Sequence, residues 1–152
     1  MRVTIAAVGR DHRGPARDLF DDYCKRCAWP IRLVEIGPRN AMRPERRLAD
    51  EGARLLSAIP RDAALIALDE HGRLLGSQSF ATRLRSWQQQ GRSDLGFLIG
   101  GPDGLAADLI ERADLVLALG RMTWPHRLAR VLLAEQLYRA STILAGHPYH
   151  RE

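Results

Sequence analysis

A chain of 152 residues that is 45% hydrophobic and 27% charged can bury a sizeable core, and its balance fits neither a disordered nor a fibrous protein. Its apolar runs fall well short of the ~20 residues of a membrane span, the N-terminal run is too short for a secretory signal, and the two cysteines favour a reducing cytosol. Net charge is +5, and Lys25 is the single lysine among 23 basic residues, so forked guanidinium groups dominate and a nucleic-acid or other polyanionic partner is admitted, though base composition alone can also enrich arginine.

Residues 3–8 form an apolar, β-rich run that stops at Gly9 and reads as a first strand. Gly14-Pro15 opens a helix, with proline tolerated in its first turn, and Leu19, Phe20, Tyr23, Cys24 and Cys27 give it one apolar face. Residues 31–36 alternate like a strand until Gly37-Pro38. A basic loop follows with Arg39, Arg43, Arg46 and Arg47. Pro44-Glu45 then starts a helix whose stripe of Leu48, Leu55, Leu56 and Ile59 runs to Pro60. Residues 63–68 are a third strand, ended by Asp69-Glu70-His71-Gly72. Ser77 or Ser79 is the expected cap of a helix that buries Phe80, Leu84 and Trp87 and ends at Gly91. Residues 95–99 are a fourth strand, cut off by Gly100-Gly101-Pro102-Asp103-Gly104. A short helix over 105–112, a fifth strand over 113–119, a loop over 120–126 and a long helix over 127–145 complete the order, with Gly146 as its stop. Strands alternating with helices predict one α/β domain over 1–152, a mostly parallel sheet with helices on both faces. Periodicity leaves the strand order open, and general topology rules favour an unknotted chain.

The glycine turn after residue 99 is the first candidate site. Glycines there let backbone approach a ligand, and open α/β sheets bind ligands at the carboxyl ends of their strands. A ligand-free turn competes with this reading. No G-x-G-x-x-G, P-loop or G-x-S-x-G motif occurs. Cys24-Lys25-Arg26-Cys27 is a C-x-x-C with no second ligand pair, late in a helix and on its apolar side, so it reads as packing and no metal is expected. Glu135 lies on the apolar seam of the last helix with Val131 and Tyr138, where a carboxylate needs a partner. Arg139, one turn on, is the obvious one, and a structural ion pair is favoured over a catalytic role. The tail gathers His147, Tyr149, His150 and Arg151: a titratable base, a stacking ring and a phosphate contact, unless it is an unstructured end.

Four stretches together resemble the RlmH family. They are Phe97-Leu98-Ile99-Gly100-Gly101-Pro102-Asp103-Gly104, Thr123-Trp124-Pro125-His126, Glu135-Gln136-Leu137-Tyr138-Arg139-Ala140 and the ending His147-Pro148-Tyr149-His150-Arg151-Glu152. Members are SPOUT-class methyltransferases that modify N3 of a pseudouridine in large-subunit ribosomal RNA. The resemblance runs the length of the chain and is most specific in the C-terminal third. It implies a C-terminal trefoil knot in place of the unknotted default. It also implies a homodimer with each S-adenosylmethionine (SAM) pocket near the partner subunit, and action on assembled ribosomes. The implied cofactor contacts are Leu68, Gly100, Gly101 and the loop of Leu119, Gly120, Arg121, Met122, Thr123 and Trp124. For a methyl transfer to N3, which needs a proton removed and charge on the ring oxygens stabilised, the candidate catalytic residues are Arg139 as the cation, His150 as the proton acceptor and Glu135 as the group that orients Arg139. Tyr149, Arg151 and His126 are the implied substrate contacts. Arg10, Arg13, Arg43, Arg46, Arg47, Arg127 and Arg130 are candidates for a phosphate-binding surface. Trp124 stands where a smaller apolar residue is expected, and Asp103 where glutamate is familiar. Competing functions are methylation of another RNA such as tRNA, ribosome binding without turnover and, on spacing alone, flavodoxin-like binding of a flavin or nucleotide.

Overall fold

The computed structural model describes residues 1–150, with His150 described through its backbone. The elements are β1 (Arg2–Val8), α1 (Pro15–Arg26), β2 (Ile31–Ile36), α2 (Pro44–Ser57), β3 (Ala64–Leu74), α3 (Ser77–Gln89), β4 (Asp94–Ile99), α4 (Ala107–Arg112), β5 (Leu115–Ala118), α5 (His126–Leu144) and a 3₁₀ turn, Pro148–His150. The sheet order is β2-β1-β4-β3-β5, and all four ladders are parallel. All five strands therefore present their carboxyl ends at one edge. The loops that begin at Gly9, Gly37, Gly100 and Leu119 open there.

Burial on both faces explains why β1 and β4 read as unbroken apolar runs. Val3, Ile5, Ala7, Leu95, Phe97 and Ile99 share one cluster with Phe20 of α1, Phe80 and Leu84 of α3 and Leu133 and Leu137 of α5. Ala6, Val8 and Leu98 join Leu55 of α2 and Leu109 of α4 on the other side. The Cβ of any residue replacing Gly96 would lie 2.3 Å from Ile59 Cγ2, so this strand glycine lets the end of α2 pack directly on the sheet. Among the described residues, no helix is long and apolar enough to cross a membrane.

Four expectations need correction. The strand expected to end at residue 68 runs on to Leu74: Leu68 and Arg73 both pair with Leu117, and the intervening residues bulge outward. Gly72 permits this because a Cβ there would lie 2.8 Å from the backbone of Val116 and Leu117. The glycine allows close approach of a neighbouring strand rather than ending its own. At α3, Gly76 is the N-cap, and Ser77, the first helical residue, donates its hydroxyl to Gln136 Oε1 at 2.7 Å. On α1 the expected apolar face holds at Phe20, Tyr23, Cys24 and Cys27, but Leu19 is 46% exposed, one step of about 100° off the face packed on α5. Burial pushes the Cys24 thiol up to about 12 and raises that of Cys27, so both stay protonated and pack.

The fourth correction is Arg130, which is 3% exposed and belongs to no surface. Its guanidinium donates to the carbonyls of Val8 and Gly9 at 3.1 and 2.8 Å and to Glu35 Oε1 at 2.8 Å. It fastens α5 to the carboxyl ends of β1 and β2.

Candidate functional site

Beyond β4 the chain makes a tight turn. The amide of Gly104 donates to the carbonyl of Gly101 at 2.9 Å, and Gly104 takes a left-handed φ of 76°. A Cβ on Gly100 would lie 2.3 Å from the Gly104 oxygen, so the turn closes only over a bare α-carbon. A Cβ on Gly101 would meet Val8 Cγ1 at 3.1 Å and Glu51 Oε2 at 3.6 Å. Glu51, only 4% exposed, therefore backs the turn from α2. The tip is held as well, because Asp103 pairs with Arg47 of the same helix. The result is a ledge fastened at its tip to α2.

A cleft of about 410 Å³ faces this ledge. Leu68 gives it an apolar wall where β3 bulges, and Ile99, Leu117 and Leu119 do so at the ends of β4 and β5. Its outer rim is the loop after β5, whose Thr123 hydroxyl donates to Glu70 Oε2 at 2.8 Å. The Trp124 indole lies over Gly120, where a Cβ would come 3.3 Å from Nε1, and the side chain remains 39% exposed. Of the residues expected at the cofactor, Leu68, Gly100, Gly101, Leu119, Gly120, Met122, Thr123 and Trp124 line the cleft, and His126 lines it from the first turn of α5. Arg121 belongs to the same loop but does not line it. Asp69, Glu70 and His71 also line it. The sequence marked them only as a polar break, because their place depends on the outward bulge of β3.

A second cluster lies further along α5. Arg139 donates to Glu135 Oε1 from Nε at 2.9 Å and from a terminal nitrogen at 2.6 Å. Hydrogen bonding to Glu135 holds the guanidinium above its ordinary range, so it stays charged. The other carboxylate oxygen accepts from Gln136 at 2.7 Å, and the Tyr149 hydroxyl donates to Oε1 at 3.2 Å. Tyr149 is thus folded back onto α5, with Arg139 over its ring at 4.9 Å. The expected Glu135–Arg139 pair exists, and Tyr149 joins it. Arg139 sits ten residues past Ala129, the last cleft residue on the helix, which is roughly 15 Å along the axis. One chain therefore builds the cleft and the Glu135–Arg139–Tyr149 cluster as separate groups. The expectations for the His150 side chain and for Arg151 lie outside the described residues.

The arginines sort by partner. Arg47 is committed to Asp103, Arg127 to Asp11 at 3.2 Å and Arg130 to Glu35. Arg10, Arg13, Arg43 and Arg46 are exposed, and their side chains make no hydrogen bond or ion pair among the described residues. All four follow β1 or β2 at the edge that carries the cleft. A larger groove, about 1280 Å³, lies between α2 and α4 at the amino ends of β3 and β5. Its Arg92 and Asp114 satisfy each other through bonds of 2.8 and 2.7 Å. Among the described residues no group of three or more His, Cys, Asp and Glu is placed to hold a metal ion.

A family described as "Predicted SPOUT methyltransferase" matches residues 1–150. The chain is 54% identical over 151 residues to a protein of Rhodospirillum centenum named "Ribosomal RNA large subunit methyltransferase H", covering 99% of each. It is 52% identical over 151 residues to a protein of the same name from Paramagnetospirillum magneticum, again covering 99% of each. In fold it is similar to a solved probable methylase family protein from Haemophilus influenzae, with a TM-score of 0.57 at 13% identity over 99% of this chain and 70% of that one. This chain belongs to the SPOUT methyltransferase family.

Proposed function

We propose that this protein is a SAM-dependent enzyme that methylates N3 of a pseudouridine in large-subunit ribosomal RNA, working as a homodimer on assembled cytoplasmic ribosomes, with its C-terminal segment threaded as a trefoil knot. The observation that carries the reading is the ledge at Gly100 and Gly101 facing the loop over 119–126 across a cleft at the carboxyl edge of the sheet. The names of the full-length relatives support the RNA class.

The cleft suits SAM. Its volume falls in the range of small-ligand sites. The bare α-carbons of Gly100 and Gly101 leave room for a ribose and an amino-acid tail, and free backbone groups at the strand ends suit an adenine edge. When bound, SAM supplies an electrophilic methyl group. The protein's task is then to orient the uracil ring and to manage one proton and one negative charge. N3 bears a hydrogen between two carbonyls, and as the new N–C bond forms and the S–C bond breaks, that proton must leave. His150 is our acceptor, since an imidazole titrates near neutrality. Arg139, kept charged and aimed by Glu135, stabilises the charge on the ring oxygens. Tyr149 and Arg151 hold the nucleotide, and His126 flanks it at the cleft. Because the cleft and Arg139 are separated along α5, the complete site combines the cleft of one subunit with Arg139 and the tail of the other.

Transfer of tritiated methyl from SAM tests this directly. Incorporation into intact ribosomes, mapped to a pseudouridine, is the expected result. Incorporation into tRNA instead, or SAM binding with no transfer to any RNA, would reject the reading.

Two further results follow from the same surface. Binding of SAM should change the emission of Trp124, since Trp87 is buried in the core and Trp29 is partly buried against it. In Trp124→Phe the titration signal should vanish while methyl transfer persists. A signal retained by that variant would move the cofactor elsewhere. For RNA, Arg43→Ala/Arg46→Ala should weaken binding of the large subunit and lower the slope of log K against log salt by about 1–2, with SAM affinity unchanged. Arg61→Ala/Arg112→Ala, at the opposite edge of the sheet, should alter neither quantity. Equal effects from both pairs would mean that the rim at the cleft edge has no special role.

A further inference from the structure

We infer that Arg26 is a positioning residue for the C-terminal tail: with Tyr23 and Tyr138 it forms a seat that holds the Tyr149 ring and so sets where His150 begins. The seat itself stands on geometry alone, and only its consequence for turnover rests on the proposed function.

Arg26 closes the last turn of α1, and Tyr23 lies three residues before it on the face that meets α5. Its guanidinium carbon lies 5.4 Å from the centroid of the Tyr23 ring, 4.6 Å from that of Tyr138 and 5.6 Å from that of Tyr149. One cation thus serves three rings that come from α1, α5 and the terminal turn. The rings also meet each other: Tyr138 and Tyr149 have centroids 4.5 Å apart at 56°, and Tyr23 and Tyr138 are 6.1 Å apart at 40°. A terminal nitrogen of Arg26 donates to the Tyr138 hydroxyl at 3.4 Å. Arg139 also lies over the same Tyr149 ring, at 4.9 Å. Burial, then contact with Tyr23 and Glu135, pushes the Tyr149 phenol up to about 12, so it remains a neutral donor to Glu135.

The backbone gives the seat its purpose. Gly146 turns left-handed at a φ of 69°, which redirects the chain after α5. Pro148 stiffens the next step, and Tyr149 then docks against α5. The next α-carbon is only ~3.8 Å beyond it, so the seat confines the start of His150 within a small volume. A tail left free would have to lose that conformational freedom at each turnover. The other partner of Arg26, Asp22 at 3.3 Å, forms an exposed pair of the kind that contributes little. The planar, delocalised cation suits several ring faces in a way that a lysine ammonium does not.

The test uses the intact protein and two readouts. Timed carboxypeptidase digestion followed by intact mass measures release of the residues from Glu152 back to Tyr149. Methyl transfer to large ribosomal subunits gives kcat, with SAM Kd from Trp124 emission. In Arg26→Ala, release should quicken about fivefold or more and kcat should fall by a similar factor, with SAM Kd and Tm unchanged. Arg26→Lys should recover less than half of the loss. Asp22→Ala, which breaks the ion pair and leaves the rings, should match the wild type in both assays. Trimming of Arg26→Ala at the wild-type rate would overturn the seat. Faster trimming with unchanged kcat would overturn the positioning role. If the wild type itself transfers no methyl to large-subunit RNA, the functional reading falls, and the digestion still decides on the seat.

Discussion

Gly100→Ala is expected to weaken SAM binding by about 100-fold or more, some 2.7 kcal/mol, while leaving the fold in place. The added Cβ would lie 2.3 Å from the carbonyl oxygen of Gly104 and 2.4 Å from its carbonyl carbon, and backbone cannot yield as a side-chain tip can. The turn must open. Its other fastenings, the Gly104-to-Gly101 hydrogen bond and the Arg47 contact to Asp103, then strain or break. Opening moves the ledge into the cleft it lines. Overpacking of this kind costs about 1–3 kcal/mol of stability, a Tm loss of roughly 2–12 °C in a chain of this size. Gly104→Ala provides the contrast: nothing lies within 4 Å of its added Cβ, and only the left-handed φ of 76° opposes it, at a cost of about 1–2 kcal/mol. Titration by Trp124 emission, with thermal melts in parallel, separates the two. Wild-type affinity in Gly100→Ala would reduce the glycine turn to a plain connection between β4 and α4.

The parts of this molecule that were legible in the sequence are those whose cause is local. Residues 3–8 and 95–99 are strands buried on both faces, so continuous apolar stretches announced them. The turn after β4 was legible as a turn because three glycines and a proline fall within five residues. The Glu135–Arg139 pair was legible because four residues make one helical turn. Where the cause is another part of the chain, local reading failed. Gly72 looks like a terminator until β5 is beside it, and Arg130 looks like surface charge until the ends of β1 and β2 receive it. Arg26 and Tyr138 are 112 residues apart, and no spacing rule joins them. Strand order belongs to the same class: β3 lies between β4 and β5 for reasons of packing across the whole sheet.

On the proposed role, in which its charge stabilises the transition state, Arg139→Ala should lower methyl transfer by about 10²–10³-fold with SAM affinity intact. Loss of structure is a poor competing explanation. An i,i+4 ion pair that is partly exposed contributes only about 0.3–0.5 kcal/mol, so Tm should move by a degree or two at most. Arg139→Lys keeps the charge but loses the two-pronged bond to Glu135, and should recover only part of the rate. On the same proposal Glu135→Gln should cost about tenfold alone and less in the Arg139→Ala background, where only its contacts to Gln136 and Tyr149 remain to be altered. The location of the pair, roughly 15 Å along α5 from the cleft, makes a sharper test possible. If each site takes its cleft from one subunit and Arg139 from the other, mixing Gly100→Ala and Arg139→Ala subunits creates dimers in which one site carries both lesions and the other carries neither. A one-to-one mixture should then regain about a quarter of wild-type activity, half the dimers having one good site of two. If cleft and arginine act within one subunit, every site in the mixture keeps a lesion and nothing is regained. Recovery therefore requires that Arg139 act across the subunit boundary, and its absence after demonstrated subunit exchange would return the arginine to its own chain.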